Sequence, residues 1–80
     1  MARLLFLGRL EDVAGMEELS LPLARVCPLA EVMAMLPGEL VEALRKPNVK
    51  IAVNGVIVAA EGLAIADTDE VAFLPPVSGG

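Results

Sequence analysis

The sequence predicts an α+β fold, a roll in which a small mixed sheet wraps over one main helix. Three observations predict it. Two short apolar runs, Leu4–Leu7 and Val71–Leu74, stop at Gly8 and Pro75, as buried strands do. Leu29, Val32, Met33 and Leu36 stand at i, i+3, i+4 and i+7, which makes one apolar helical stripe. Asn54-Gly55 lies between two β-branched runs, the pattern of a tight hairpin.

Taken in order, Arg3–Leu7 reads as a first strand buried on both faces or nearly so. Leu10–Ala14 is long enough for one helical turn, closed by Gly15. Leu19, Leu21 and Leu23 alternate with Glu18, Ser20 and Pro22, so a second strand has one polar face. Pro22 marks that strand as an edge. Pro28–Leu36 is the clearest helix, with Pro28 at its first position and Pro37-Gly38 as its stop. Met33 and Met35 read as core filling. A shorter helix is expected over Glu39–Arg45, with acidic residues at its start and Arg45 and Lys46 at its end. Lys50–Val53 and Val56–Val58 form the hairpin. Asp67-Thr68-Asp69 turns the chain into a final strand, Glu70–Leu74. The first and last strands carry the large apolar runs, so they should be central and adjacent.

A single helix layer covers only one face of such a sheet. If Phe6 and Phe73 point at the helix, Leu7 and Leu74 point away. With Ile57 they would make a bare apolar patch, or else they complete a small core.

Eighty residues make one domain, read as a body over residues 1–74 and a tail over residues 75–80. Mean hydropathy is +0.70 and 56% of residues are apolar, more than one small core needs. That excess favours a surface covered by a partner. The formal charge is −5, and Phe6 and Phe73 are the sole aromatics. Such a chain repels phosphate backbones and has no basic stripe with interleaved aromatics, so nucleic acid is not an expected partner. No run is long and apolar enough to span a membrane, and no signal-peptide pattern is visible. A soluble, cytoplasmic protein is expected. Cys27 stands alone and no His occurs, so neither an internal disulfide nor a Cys–His pair can form. Cys27 reads as a small buried hydrophobe.

The chemistry is expected at the tail, Pro75-Pro76-Val77-Ser78-Gly79-Gly80. Pro75 lacks an N–H, so pairing stops there, and Pro-Pro favours a stiff extended arm. Gly79 and Gly80 have no side chains to crowd the terminal carboxylate. On the dipeptide alone a plain flexible terminus is the simpler reading. Behind a strand and two prolines, it reads as an acyl group held out for activation.

The run Asp69–Gly80 resembles the C-terminal signature of the small subunit of molybdopterin synthase, a sulfur-carrier family with the ubiquitin-like β-grasp fold. Leu4–Gly8 and Ala52-Val53-Asn54 are similar to that family's start and middle. Glu11-Asp12 stands where the family often has Arg-Glu, and Asp67-Thr68-Asp69 where it often has Asp-Gly-Asp. The resemblance implies that the chain is no enzyme by itself and holds no stable cofactor. An adenylyltransferase related to ubiquitin-activating enzymes would use ATP on the Gly80 carboxylate, and a sulfur donor protein would convert it to a thiocarboxylate. The tail, Pro75 to Gly79, would enter the large synthase subunit and deliver sulfur to a cyclic pyranopterin phosphate. The assembly would be a heterotetramer, with Leu7, Ile57 and Leu74 as the docking patch. A thiamine-pathway sulfur carrier, a ubiquitin-like protein modifier and an interaction module with an inert tail are the competing readings.

Overall fold

The computed structural model describes residues 1–76. Five strands form the main sheet: β1 (Ala2–Phe6), β2 (Glu18–Leu21), β4 (Lys50–Val53), β5 (Val56–Val58) and β7 (Glu70–Leu74). Their spatial order is β2-β1-β7-β4-β5. β1 and β7 lie side by side and parallel at the centre, while the other pairings are antiparallel. The strands that carry Leu4, Phe6, Val71 and Phe73 therefore occupy the central, most buried positions, as expected. β3 (Cys27–Pro28) and β6 (Ala64–Ile65) make a separate two-stranded ribbon.

The helices are α1 (Arg9–Ala14), α2 (Leu29–Met33) and α3 (Gly38–Leu44). Their buried residues, Leu10, Val32, Met33, Leu40 and Leu44, join one core with Leu4, Phe6, Ile51, Val71 and Phe73. The helices thus pack on one side of the sheet. Phe6 and Phe73, paired across β1 and β7, are fully buried and stack with ring centroids 5.9 Å apart and planes 9° from parallel. Offset stacking of this kind adds to the burial of both rings.

The main helix is shorter than the expected Pro28–Leu36. Pro28 has ψ 150° and caps α2 from outside. Past Met33 the backbone tightens: the N–H groups of Met35 and Leu36 donate to the carbonyls of Val32 and Met33, three residues back. Pro37 has no N–H with which to continue. The apolar stripe survives this change, since Val32, Met33 and Leu36 are buried and Leu29 is half-buried. Met35 is different. It is 51% exposed, because the 3.6-residue period carries it to the solvent side, so it does not fill the core. Cys27 is buried, and its thiol donates to the Arg25 carbonyl at 3.3 Å.

β2 ends at Leu21, before Pro22, and is an edge strand as its sequence suggested. The hairpin forms at the expected place, with Asn54 at φ 51° and Gly55 at φ 85°. Both central residues of a type I′ turn need that left-handed region.

Candidate functional site

β1 and β7 run in the same direction, so the molecule has two distinct poles. Residues 1–3 and 67–70 lie at one, with the β4–β5 turn; Phe6, Leu7 and Leu74 lie at the other. The tail starts from the second pole.

At the tail pole, Leu7 N–H donates to the Phe73 carbonyl at 3.2 Å, which extends the central pairing by one rung. Gly8 follows with φ 55° and ψ −132°. A Cβ built on Gly8 would lie 2.9 Å from Cγ of Pro75. Only a residue without a side chain lets the chain turn there while Pro75 lies across it. Pro75 is therefore half-buried and seated, whereas Pro76 is exposed. The tail leaves the central strand from a fixed point. Val77, Ser78, Gly79 and Gly80, with the expected reactive carboxylate, lie outside the described residues.

The sheet face away from the helices carries the other candidate residues. Strand register aligns Leu5, Ala72, Ala52 and Ile57 in one row across β1, β7, β4 and β5. Leu74, opposite Lys50, and Leu7 stand in the next row toward the tail. Leu7 is 41% and Ile57 65% exposed, while Leu74 is half-buried. The structure thus places Leu7, Ile57 and Leu74 on one face and inserts Leu5, Ala52 and Ala72 between them. Parity reasoning from Leu7 and Leu74 leads to Leu5 and Ala72; Ala52 needed the register. Gly8 was legible only as a strand stop. Val13 and Met16, in and just after α1, add exposed apolar surface at the same end.

The opposite pole is polar and densely bonded. Asp69 accepts from Ala66 N–H at 2.8 Å and from the Asn54 amide at 2.9 Å. Asn54 Oδ1 in turn accepts from Glu70 N–H at 3.0 Å. Asp67 accepts from Leu23 N–H at 2.8 Å and pairs with the N-terminal ammonium at 3.1 Å. The Leu23 bond first, then the ammonium, holds the Asp67 carboxyl below its usual range. The Ala66 bond first, then Asn54, does the same for Asp69. Arg3 closes this end of the open face by pairing with Glu18 at 3.3 Å and Glu70 at 3.2 Å. These carboxylates are occupied by structural bonds. Among the described residues no group of three His, Cys, Asp or Glu side chains is arranged to hold a metal ion. No helix of the described residues is long and apolar enough to cross a membrane.

A five-stranded mixed sheet with helices on one face and parallel central strands defines a ubiquitin-like β-grasp fold. The chain belongs to the ThiS family, whose profile matches residues 4–80; it is a ubiquitin-like sulfur-carrier protein of that family. Solved structures agree on the fold. The crystal structure of SAMP1 from Haloferax volcanii matches with a TM-score of 0.78 at 24% identity, over 99% of this chain and 98% of that one. A crystal structure of small archaeal modifier protein 1 from H. volcanii gives 0.74 at 22%, over 95% and 97%. The solution structure of small archaeal modifier protein 1 from Methanosarcina acetivorans gives 0.68 at 25%, over 99% and 95%. A search of curated proteins finds no match.

Proposed function

We propose that this chain is the sulfur-carrying small subunit of a molybdopterin synthase, with the Gly80 carboxylate as its reactive group. An activating enzyme joins that carboxylate to the AMP part of ATP and releases pyrophosphate. A hydrosulfide-level nucleophile from a sulfur donor protein then displaces AMP and leaves a thiocarboxylate. Inside the large subunit the terminal sulfur passes to a cyclic pyranopterin monophosphate, and water restores the carboxylate. ATP is consumed by the activating enzyme, not held by this chain, and the catalytic side chains belong to the partners. The face of Leu5, Leu7, Ala52, Ile57, Ala72 and Leu74 docks against the large subunit.

The observation that carries the reading is the path of β7. A buried central strand leads through a seated Pro75 and an exposed Pro76 toward Ser78-Gly79-Gly80. Force or strain on such an arm is borne by the middle of the sheet, and the end has no bulk to exclude it from a narrow channel. The chain's own inventory supports a passive role: no His, no Tyr and no paired nucleophile.

A second reading has a specific observation in its favour, because the solved relatives are called modifier proteins. In that reading the activated Gly80 acyl group is transferred to a lysine amine. Incubating the chain with the activating enzyme, ATP, a sulfur source and the synthase large subunit separates the two. The carrier reading predicts an intact-mass gain of one oxygen-to-sulfur exchange, reversed when the pterin precursor is added. Isopeptide-linked products without that exchange would favour the modifier.

A further inference from the structure

The helix side of the molecule contains a second apolar surface that the tail and the open sheet face do not use. A groove of about 870 Å³ runs between α2, α3 and the β4–β5 hairpin, floored by Met33, Val41, Ile51 and Val58. Its charged lining consists of Arg45, Lys46 and Lys50, all cationic. The chain as a whole carries −5, so half of its six cations are gathered at one end of one groove. Among the described residues none of the three has an ion-pair partner, whereas Arg3 and Arg25 are both paired to glutamates.

The groove also borders the less protected edge of the sheet. At the other edge, β2 carries Glu18, held by Arg3, and Ser20, and is followed by Pro22. Charges and proline are how an edge is kept from pairing. β5 has neither: it is Val56-Ile57-Val58, with Val56 62% and Ile57 65% exposed. Lys50 opens β4 and lies next to Ile51, which pairs with Val58, so the cationic cluster sits toward the Ala59 end of β5.

We propose that this groove and the β5 edge together bind an extended, apolar segment of a partner protein that ends in acidic residues. Backbone groups of the segment pair with β5, alternate side chains enter the groove, and the acidic end meets Arg45, Lys46 and Lys50. Strand addition gives affinity through main-chain bonds and selectivity through pockets for alternate side chains. A second copy pairing through β5 would bring the cations one carboxylate, Glu61 just past Ala60, so it matches the cluster less well than a segment ending in several acidic residues. The groove floor lies on the helix side, while Ile57 and Lys50 belong by register to the opposite face, so the two surfaces adjoin at β5.

The test uses the full chain and a synthetic peptide of alternating valine and threonine that ends in a run of aspartates. The amide signals of Val56, Ile57 and Val58 and the methyl signals of Val41 should shift on titration, and added salt should weaken binding. Reversing two charges together, Arg45→Glu with Lys46→Glu, should weaken it at least about tenfold. Both residues are exposed, so the amide spectrum of the variant should otherwise stay unchanged. The same peptide ending in lysines should not bind. The proposal is overturned by absent binding, by equal affinity for the two peptides, or by shifts on Leu5 and Ala72 in place of β5. It is likewise overturned if decanoate fills the groove and the peptide does not, or if the chain self-associates through Val56–Val58.

Discussion

The two poles of the sheet use the same strands for opposite purposes. At the Asp67–Asp69 pole each carboxylate is committed to backbone N–H groups, an amide or an ammonium, and the turn is fixed by short-range bonds. At the tail pole the side chains are Leu7, Leu74, Pro75 and Pro76, and the one tight constraint is steric, Pro75 over Gly8. The difference teaches that polar residues alone do not mark a site in a carrier protein. Here polar side chains fix the turn farthest from the tail, while the end assigned to the proposed function is built from backbone and apolar surface. Substitutions at the polar pole should therefore change stability and leave loading intact, and those at the tail pole should do the reverse.

Adding one residue after Gly80 should sharpen that division most. The carboxylate moves by about 3.8 Å, one Cα spacing, while every core contact stays in place. Sulfur loading should fall to background in the mass assay with an unchanged melting temperature. Gly8→Val mixes the two effects. It strains a left-handed backbone and collides with Pro75, so it should cost about 1–3 kcal/mol in denaturant titrations and slow loading by displacing the root of the tail. Leu74→Asp should weaken large-subunit binding by about tenfold or more in calorimetry, since it puts a charge into an apolar contact, and unaltered affinity would break the docking assignment.

At the polar pole, Asn54→Ala should cost about 1–2 kcal/mol, because it removes two bonds to the Asp69–Glu70 turn and a residue tolerant of positive φ. Loading should be unaffected. The smallest effect is that of pH. Asp69 has a folded pKa below its ordinary 3.8, so its contribution is fully present above that value and lost as pH falls through the lowered one. Urea midpoints should therefore fall on acidification below pH 3.8, and less steeply in Asp69→Asn.

Much of this organisation is written in local pattern. The apolar runs of β1 and β7, the Asn54-Gly55 turn and the stripe on α2 depend on neighbours within a few residues, and each formed where its pattern lay. The β3–β6 ribbon pairs only Cys27 with Ile65 and Pro28 with Ala64, too short a contact to leave a period in the sequence. The early end of α2 depended on how the chain tightens ahead of Pro37. Parity along β1 and β7 links Leu5 to Leu7 and Ala72 to Leu74, but Ala52 and Ile57 join them only through strand register, which is a long-range property. The role of Gly8 depends on Pro75, distant in sequence and adjacent in space, so no local signal carries it.

The proposed chemistry rests on one atom group, the terminal carboxylate of Gly80. Intact-mass measurement of the Gly80-terminated chain beside its one-residue extension, each with the activating enzyme, ATP and a sulfur source, reads that atom without intermediaries. Thiocarboxylate should appear on the first and not on the second. Sulfur on both, or on neither while the enzyme loads another carrier, would contradict it.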